Sequence, residues 1–533
     1  MSSMAVSFVN RVSELSLIEE AFSDLLNKEH LNTPIIDFYG VEGIGKTSIL
    51  TKVIEKCDEN KIPYIKAEAD NDLVQFSNTI KTLIKKYTTV QALKELEATE
   101  PMALTRALLE QGPLVMLLDA IDTTNESQIL HLENLLRELI IYNKLFVVLT
   151  SRRSISFEKD KSVARKLTTF AVRPLDREST ELYLNSIQFP IDPALRETIF
   201  EWTRGYPLAM NAMVQALNEG ITPTQEPGKQ SLMARIVERV IDQGLLASIK
   251  TEDIEWVKTT LNLLAVPRRF NLIIMQKLIE RFEPELKLSN SLAYLTVPKR
   301  IAKSTGVIAW DMIKAGFAID EPVRNILLLQ LKIGQPERYY ELNQFLAEIN
   351  WQNASEAIGL DRIRYQREYL YHSANSVEED AIPYILQKTV AQIIQGAEQD
   401  PDPLIQFQIE FTQDNELQDN LGKNVNIVQE MIYSHLAQQM RLLYEQEKDD
   451  KKRFRYLYDF FYYTVHNPTT TDKASLATDL KARILLLQEQ EGARHILKLY
   501  EELREDDAFV QALGSEFTNL HALLRKDSDS SEE

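Results

Sequence analysis

Apolar residues in the first third of the chain alternate between helical and strand-like spacing. Helical stretches occupy 14–26 and 48–57. Strand-like segments lie at 35–39, 63–67, 114–118, 146–150 and 169–172. This alternation is typical of a parallel sheet covered by helices. We therefore predict an α/β core over residues 1–174.

The pattern becomes helical after residue 175. Helical spacing fills 176–218, with a break at Gly205-Tyr206-Pro207, and a connector containing Pro, Gly and Gln follows at 221–230. We predict a helical lid and connector over residues 175–248.

Residues 249–333 combine amphipathic helices with two short strand-like pieces, 306–310 and 316–319. Such a mixture favours a winged-helix domain.

Strand signals weaken beyond Gly334. Amphipathic segments such as 431–444 and 482–503 indicate stacked helices. No fixed repeat period is visible, but we expect a solenoid-like helical domain over 334–526, followed by an acidic tail at 527–533. A run of aromatic residues at 454–463 is either a partner surface or packing between helices, and the helical stripe of Phe454, Tyr458 and Phe461 favours packing.

Composition supports a multidomain chain. Its 533 residues exceed what one hydrophobic core can organise. The single cysteine, Cys57, excludes an internal disulfide and a zinc finger, and the seven histidines contain no HExxH motif. No apolar run approaches the roughly 18 residues of a membrane span, and the N-terminus carries no secretory signal pattern. We therefore expect a cytoplasmic protein without membrane contact.

Negative charge is concentrated in the C-terminal part. Residues 335–533 carry 20 Lys and Arg against 36 Asp and Glu, whereas residues 1–334 carry 40 against 43. Phosphates would be repelled there, so nucleic acid is an unlikely ligand and a protein partner of this acidic region is favoured. The alternative is an acidic surface that only keeps the helices in solution.

Glycine is scarce except at one place. The chain has sixteen glycines, and three of them lie within six residues, in Gly40-Val41-Glu42-Gly43-Ile44-Gly45-Lys46-Thr47. This is a complete Walker A motif between a predicted strand and a predicted helix, which begins near Ser48. Its backbone N–H groups and the helix N-terminus would cradle phosphates, Lys46 would reach the β- and γ-phosphates, and Thr47 would ligate Mg²⁺. We therefore predict that ATP or ADP binds here.

Two further strand ends supply candidate catalytic groups. Asp119 ends an apolar strand and would complete the Mg²⁺ site with Thr47. Asp122 could orient or deprotonate the attacking water, or could cap the next helix. Arg152 follows the strand 146–150 and could sense the γ-phosphate, unless it is a surface arginine; its neighbour Arg153 could take the same role.

Together these motifs resemble the STAND class of signal-transducing P-loop ATPases, the branch related to the AAA+ group that includes NB-ARC and NACHT proteins. Residues 8–15 are similar to the N-terminal motif of that class, which implies contacts of Val9 and Arg11 with the nucleotide. Gly205-Tyr206-Pro207-Leu208-Ala209 is similar to its lid motif, which implies that Pro207 approaches the base. Ala120 stands where active AAA+ motors carry a catalytic glutamate, so slow or absent ATP hydrolysis is implied.

The resemblance covers residues 8–375 and implies a nucleotide-controlled switch. Asp320 stands where the class commonly has a histidine that contacts ADP. A helical C-terminus would sense a partner, and the nucleotide would control oligomerisation. The alternatives are an AAA+ ATPase that handles DNA through its winged helix, and a scaffold in which nucleotide is structural.

Overall fold

Five parallel strands form the central sheet of the computed structural model. The structure describes residues 11–27, 31–68, 105–106, 108–110, 112–121, 126–187, 191–223, 225–247, 249–397 and 400–469. The strands are β1 (Ile35–Tyr39), β2 (Tyr64–Glu68), β3 (Leu114–Ile121), β4 (Leu145–Ser151) and β5 (Leu167–Ala171). The apolar pattern predicts each of these five strands; β1 has the predicted ends, and the ends of the others differ by at most three residues.

The strand order is β2-β3-β4-β1-β5. From β1 the chain crosses to β2 on one side of the sheet, and it later returns past β1 to β5 on the other side. A reversal of this kind opens a crevice at the carboxyl ends of the strands, where ligands bind in open parallel sheets. The glycine cluster follows β1 and therefore lies at this crevice.

Helices cover both faces of the sheet. On one face lie α1 (Val12–Asn27) and α2 (Lys46–Asn60), and the Phe22 ring packs edge-on against Phe146 of β4, with ring centroids 5.9 Å apart. On the other face, α3 (Glu126–Leu139) contributes Leu132 and Leu136 to a core built on alternate strand residues. Burial on both faces explains why the strands read as continuous apolar runs rather than as alternating ones.

Helices then dominate up to residue 245. They are α4 (Lys161–Ala164), α5 (Arg177–Ser186), α6 (Pro193–Thr203), α7 (Pro207–Asn218), α8 (Glu226–Val237) and a π-helix at Glu238–Leu245. Helix α8 begins inside the predicted connector 221–230, which corrects that prediction. Pro227 lies in the first turn of α8, where a missing N–H costs nothing, so it starts the helix instead of interrupting it.

Residues 251–319 form a small element that we call the helix–hairpin module. It consists of α9 (Thr251–Leu264), α10 (Leu272–Phe282), α11 (Thr296–Thr305) and the antiparallel strands β6 (Ile308–Asp311) and β7 (Gly316–Ile319). Phe270 forms a bridge to Phe317, which adds a third chain segment to the hairpin. This order of elements is the one that a winged helix requires, and the assignment to that class stays a prediction.

The chain divides into two compact units, residues 1–336 and 337–533. The module is followed by α12 (Glu321–Gly334) and α13 (Pro336–Glu356), and the second unit continues with α14 (Gly359–Asn375), α15 (Ile382–Gln395), α16 (Asp402–Thr412), α17 (Asn415–Leu421), α18 (Val425–Gln446) and α19 (Asp450–Val465). Residues such as Leu370, Phe407 and Leu436 form its core.

Several predictions for the second unit fall outside the described residues. These are the segment 482–503, the acidic tail 527–533 and the side chains of Phe454, Tyr458 and Phe461. A regular helical repeat stays a prediction. In the part of the chain that the structure describes, no helix is both long and apolar enough to cross a membrane.

Candidate functional site

The loop between β1 and α2 has the backbone that the Walker A pattern predicts. Gly43 and Gly45 have φ angles of +74° and +108°, in the region that residues with a side chain rarely adopt. Gly45 precedes the first residue of α2, and no side chain caps that helix. The N-terminus of α2 therefore offers its positive dipole end and its N–H groups to an anion.

Lys46 lies at the start of α2 and folds back onto this loop. Its Nζ donates hydrogen bonds to the carbonyl oxygens of Gly40, at 2.7 Å, and of Val41, at 2.9 Å. Burial, and then the positive charge of Arg152, lower the pKa of Lys46 to about 8. The ammonium is therefore held inside the crevice by carbonyl oxygens that an incoming phosphate could replace.

Asp119 and Thr47 meet across the crevice. The Thr47 hydroxyl lies 3.3 Å from Asp119 Oδ2. Thr150 of β4, the strand beside β3, donates its hydroxyl to Asp119 Oδ1 and also accepts the Ala120 N–H at 3.0 Å. The sheet thus fixes the orientation of the Asp119 carboxylate through a buried neighbour, Thr150.

Ala120 has an unusual backbone conformation. Its φ is +58°, and the register between β3 and β4 shifts at this point. A left-handed conformation costs a non-glycine residue about 1 kcal/mol or more. The exposed Ala120 side chain lines the crevice beside Asp119, whereas Asp122, the predicted water-orienting residue, lies outside the described residues.

A buried carboxyl group organises the loop after β4. The Ser151 hydroxyl donates to Asp37 Oδ1 at 2.7 Å, and the Ile155 N–H donates to Asp37 Oδ2 at 2.9 Å. Burial, only partly opposed by these hydrogen bonds, raises the pKa of Asp37 to about 6. Sequence patterns gave no sign of this role, because Asp37 stands inside an apolar strand. Its two hydrogen bonds span the segment that carries Arg152 and Arg153.

The two arginines of this segment point to different parts of the molecule. Arg152 Nη2 lies 2.9 Å from Glu42 Oε2 in the Walker A loop. Arg153 Nε donates to the Gly306 carbonyl at 2.9 Å, and Arg153 Nη2 donates to the Ile308 carbonyl. Burial lowers the pKa of Arg153. Arg152 thus contacts the Walker A loop, residues 40–47, which we call the phosphate loop. Arg153 binds the helix–hairpin module.

The lid helix α7 also touches the phosphate loop. Gly205, with φ +71°, lies so close to Leu175 that an added Cβ would be 1.7 Å from the Leu175 carbonyl oxygen. Tyr206 donates its hydroxyl to the Glu42 carbonyl. Leu208 packs on Gly43, where an added Cβ would lie 2.6 Å from Leu208 Cβ. Glycines at 43 and 205 are therefore required for the lid to reach the loop.

Asp320 directly follows β7 and the helix–hairpin module, and its carboxyl group lies near Arg153 and Lys46 of the core. It is half-buried, its N–H donates to the Val307 carbonyl at 2.9 Å, and burial raises its pKa to about 7 although the charges of Arg153 and Lys46 act against this. The sequence placed Asp320 near the nucleotide only through the resemblance.

All these segments surround one cleft of about 1110 Å³. The core contributes Lys46, Thr47, Asp119 and Arg152, and the lid contributes Pro207. The module and the residues just before it contribute groups that the sequence did not suggest, namely Lys250, Asp253, Lys303 and Ser304.

Four of the predicted nucleotide contacts in the described residues do not line this cleft, namely Arg11, Gly40, Val41 and Ile44. Val9 lies outside the described residues. Arg11 is buried behind the loop, where it donates to the carbonyl oxygens of Ile44, at 2.7 Å, and Arg173, at 2.6 Å, and lies 3.2 Å from Glu14. In this structure Arg11 stabilises the phosphate loop by hydrogen-bonding to its backbone, on the side away from the cleft.

Comparisons with known proteins give structural neighbours only. No protein-family model matches the chain, and no curated protein matches it. A STAND protein with a tetratricopeptide repeat sensor from Pyrococcus horikoshii is 14% identical, with a TM-score of 0.32, and the match covers 98% of this chain and 78% of that one.

Two other solved structures match a smaller share of the chain. Cdc6p from Pyrobaculum aerophilum is 13% identical over 63% of this chain and 97% of that one, with a TM-score of 0.34. The replication initiator DnaA bound to AMPPCP and single-stranded DNA is 15% identical over 56% of this chain and 90% of that one, with a TM-score of 0.30. The Pyrococcus horikoshii protein is itself described as a STAND protein, the class that the motifs of this chain resemble. At these identities and TM-scores the similarity carries no argument about ligand or mechanism.

Proposed function

We propose that this chain is an ATP- and ADP-binding switch of the STAND type that hydrolyses ATP slowly. The observation that carries the proposal is the single cleft in which the phosphate loop, the ends of β3 and β4, the lid and the helix–hairpin module meet. A ligand in this cleft would touch the core, the lid and the module together. Its identity would then determine which arrangement of those parts is stable.

The residues of the cleft fit a nucleotide with Mg²⁺. Thr47 Oγ1 and Asp119 Oδ2 are 3.3 Å apart, close to the roughly 3 Å between neighbouring oxygens around an octahedral Mg²⁺. Within the described residues there is no cluster of three His, Cys, Asp or Glu side chains, which suits an ion held by one carboxylate, one hydroxyl and phosphate oxygens. The ion would neutralise charge on the β- and γ-phosphates.

In the proposed site, the protein groups act by position and charge. Lys46 would leave the loop carbonyls to bind phosphate oxygens, the N-terminus of α2 would bind the β-phosphate, and Arg152 would approach the γ-phosphate. Pro207 would limit the space available to the base. Ala120 supplies no carboxylate to activate water, so hydrolysis would rely on Asp122 or proceed slowly.

The module is held in a way that suits a switch. Arg153 binds two of its backbone carbonyls, and Asp320 presents a carboxyl group towards Lys46 and Arg153. We propose that ADP stabilises this closed arrangement and that ATP favours a second one in which the module moves away.

Nucleotide content and assembly test the proposal. The purified full chain is denatured and the released nucleotide identified by chromatography; we expect ADP or ATP at up to one per chain. Oligomeric state is then measured by light scattering with ADP and with AMPPCP, and a nucleotide-dependent difference is expected. Absence of affinity for both nucleotides, or turnover well above ~1 s⁻¹, the low end of common enzyme rates, would overturn the proposal.

The second unit is proposed to bind a protein partner in the cytoplasm. Its region carries 36 Asp and Glu against 20 Lys and Arg, and the exposed side chains Ile358, Leu360 and Tyr384 add apolar contact area. A basic partner would bind it with strong salt dependence.

A DNA-handling ATPase is the second candidate, because residues 250–332 carry 13 Lys and Arg against 9 Asp and Glu and could form a basic face. The DnaA structure contains single-stranded DNA, in contrast to the expectation that nucleic acid is an unlikely ligand of this chain. In helix α11, however, Arg300 pairs with Asp253 and stacks on Trp256, and Lys303 faces the nucleotide cleft. Binding of duplex DNA that weakens steeply with salt would favour this candidate.

A further inference from the structure

Adjacent arginines connect the cleft to two different structural elements. Arg152 reaches the phosphate loop and Arg153 binds the module, although both belong to the same short segment after β4. Arg153 holds the module through hydrogen bonds to two backbone carbonyls. Arg152 instead pairs with a carboxylate of the phosphate loop, and the role of this ion pair is the question.

The partner of Arg152 is Glu42, the third residue of the Walker A motif. The Arg152 Nη2 to Glu42 Oε2 distance is 2.9 Å, and both side chains line the cleft. The side chains are 39% and 46% exposed, so the pair lies at the mouth of the cleft, where a ligand can reach it.

Two contacts restrict how this pair can rearrange. Tyr206 of the lid donates to the Glu42 carbonyl, which fixes the backbone that carries the carboxylate. On the other side, the aliphatic part of Arg152 packs on Gly306 of the module, where an added Cβ would lie 3.3 Å from Arg152 Cδ. The pair is thus placed between the lid and the module.

The negative charge of Glu42 competes with phosphate for the cations beside it. Lys46 is close enough to Glu42 and Arg152 for both to influence its pKa, with Arg152 lowering it and Glu42 raising it. All three groups therefore share one electrostatic environment. A diphosphate can be held by the loop and Lys46, whereas Arg152 would approach a γ-phosphate by turning away from Glu42.

We propose that Glu42 determines nucleotide preference: by holding Arg152 across the mouth of the cleft, it lowers the affinity of the site for a nucleoside triphosphate relative to the diphosphate. This inference rests on the proposed function, because it concerns the same nucleotide site. Glu42 acts through Arg152 and is a positioning residue.

The direct test compares nucleotide affinities of Glu42→Gln with those of the unaltered full chain. ADP and AMPPCP are titrated by calorimetry at constant Mg²⁺. Exposed ion pairs of this kind are weak, so we expect the ratio of AMPPCP to ADP affinity to rise by about 2- to 5-fold in Glu42→Gln. The difference between the two proteins should shrink at high salt, because exposed charges are screened.

Glu55→Gln provides the matched control. Glu55 forms an exposed ion pair with Lys52 on helix α2, and the substitution changes the charge by the same amount away from the cleft. We expect an unchanged affinity ratio. A ratio that rises equally in both variants would mean that net charge alone is responsible, and would overturn the proposal.

The double variant Glu42→Gln/Arg152→Ala tests the mechanism. If Glu42 acts by holding Arg152, the substitution at 42 has no effect on the ratio once Arg152 is absent. An equal effect with and without Arg152, or an unchanged ratio in Glu42→Gln that still binds ADP, would overturn the inference while leaving the nucleotide site itself intact. Failure of the unaltered chain to bind either nucleotide would instead overturn the proposed function, and this inference with it.

Discussion

The two walls of the cleft are constructed differently. In the core wall, Asp119 and Ser151 line the cleft, and each is hydrogen-bonded to a buried side chain behind it, Thr150 and Asp37 respectively. The module wall, formed by residues 302–306 of the helix–hairpin module, carries an exposed lysine and is bound to the core by the side chain of Arg153 through main-chain carbonyls.

This difference shows which parts of the cleft can change independently of the fold. Carboxylates and hydroxyls of the core wall cannot move without disturbing the sheet, so that wall is organised before any ligand binds. Bonds from one arginine to backbone carbonyls can be exchanged for bonds to water or to phosphate at moderate cost. The predictions below test this contrast, beginning with the largest expected effect.

Gly205→Ala should disrupt the close contact between Gly205 and Leu175 at the start of the lid. The new Cβ would require a backbone shift at Leu175, in addition to the cost of a side chain at φ +71°. We expect the free energy of unfolding to fall by about 3–5 kcal/mol, measured by urea denaturation. Gly220→Ala is the control: its φ is +84° but no atom lies within 4 Å of the added Cβ, so a loss of only about 1 kcal/mol is expected. Equal losses would show that the contact with Leu175 is unimportant.

Lys46→Ala should abolish most nucleotide binding while leaving the fold intact. Lys46 is a half-buried lysine that lines the cleft, and its ammonium donates to the carbonyl oxygens of Gly40 and Val41. Loss of a charge-assisted contact to phosphate lowers affinity by about 100-fold. Affinities for ADP are measured by calorimetry, with Lys52→Ala as control, because Lys52 is a half-buried lysine of the same helix that pairs with Glu55. Retained affinity in Lys46→Ala would place the nucleotide elsewhere.

Much of the core wall could be predicted from the sequence, because its residues are set by local rules. The Walker A motif requires glycines at fixed spacing, and Asp119 ends a parallel strand whose neighbours end at the same edge. The contact between Asp119 and Thr47 could therefore be predicted from the two motifs alone, before the strand order was known. Asp37 escaped prediction because a single carboxylate in an apolar strand carries no recognisable spacing.

The module wall could not be predicted in the same way. Arg153 and Gly306 are separated by 153 positions, and nothing in the periodicity of either segment indicates that they meet. Glu42 and Arg152 are residue types that usually form solvated surfaces, so their pairing depends on how the segments dock. Local patterns determine helices and strands, whereas contacts between domains depend on surface shape that the sequence does not display.

Arg153→Ala should loosen the module while the core wall remains intact. Its hydrogen bonds to the carbonyls of Gly306 and Ile308 would be lost, and the carboxyl group of Asp320 would lose a positive neighbour. We expect about 1–3 kcal/mol less stability and faster amide hydrogen exchange in residues 306–310 than in β1. Substitution of the exposed Arg165 by Ala should change neither the stability nor the exchange rates. Amide exchange that becomes faster by the same factor throughout the first unit would contradict the contrast between the two walls.

Asp320 should make stability depend on pH. Its pKa is raised from 3.8 to about 7 by burial, so the native state binds the proton more tightly than the unfolded chain. The free energy of unfolding therefore falls as pH rises from about 4 to 7.

Asp320→Asn should reduce this slope, so that the free energy of unfolding falls by about 2–3 kcal/mol less between pH 5 and 8. Asp37, whose pKa is about 6, would maintain part of the slope at the lower end of this range. Denaturation at several pH values measures both effects. An unchanged slope in Asp320→Asn would mean that the carboxylate is well solvated in the native state.

The smallest effect is expected from Ala120→Gly. Ala120 and Ala315, of the hairpin, both have positive φ, at +58° and +49°, so glycine should relieve strain at either position by up to about 1 kcal/mol.

The two sites differ in function, because Ala120 is flanked by Asp119 in the core wall and Ala315 lies in the β-turn of the module. Ala120→Gly should therefore also weaken AMPPCP binding in the presence of Mg²⁺, since a more flexible residue orients the carboxylate less well, whereas Ala315→Gly should leave binding unchanged. Calorimetric titration of both variants decides this: equal affinities would show that the strained backbone at 120 is a feature of the bulge alone, with no part in holding the metal ligand.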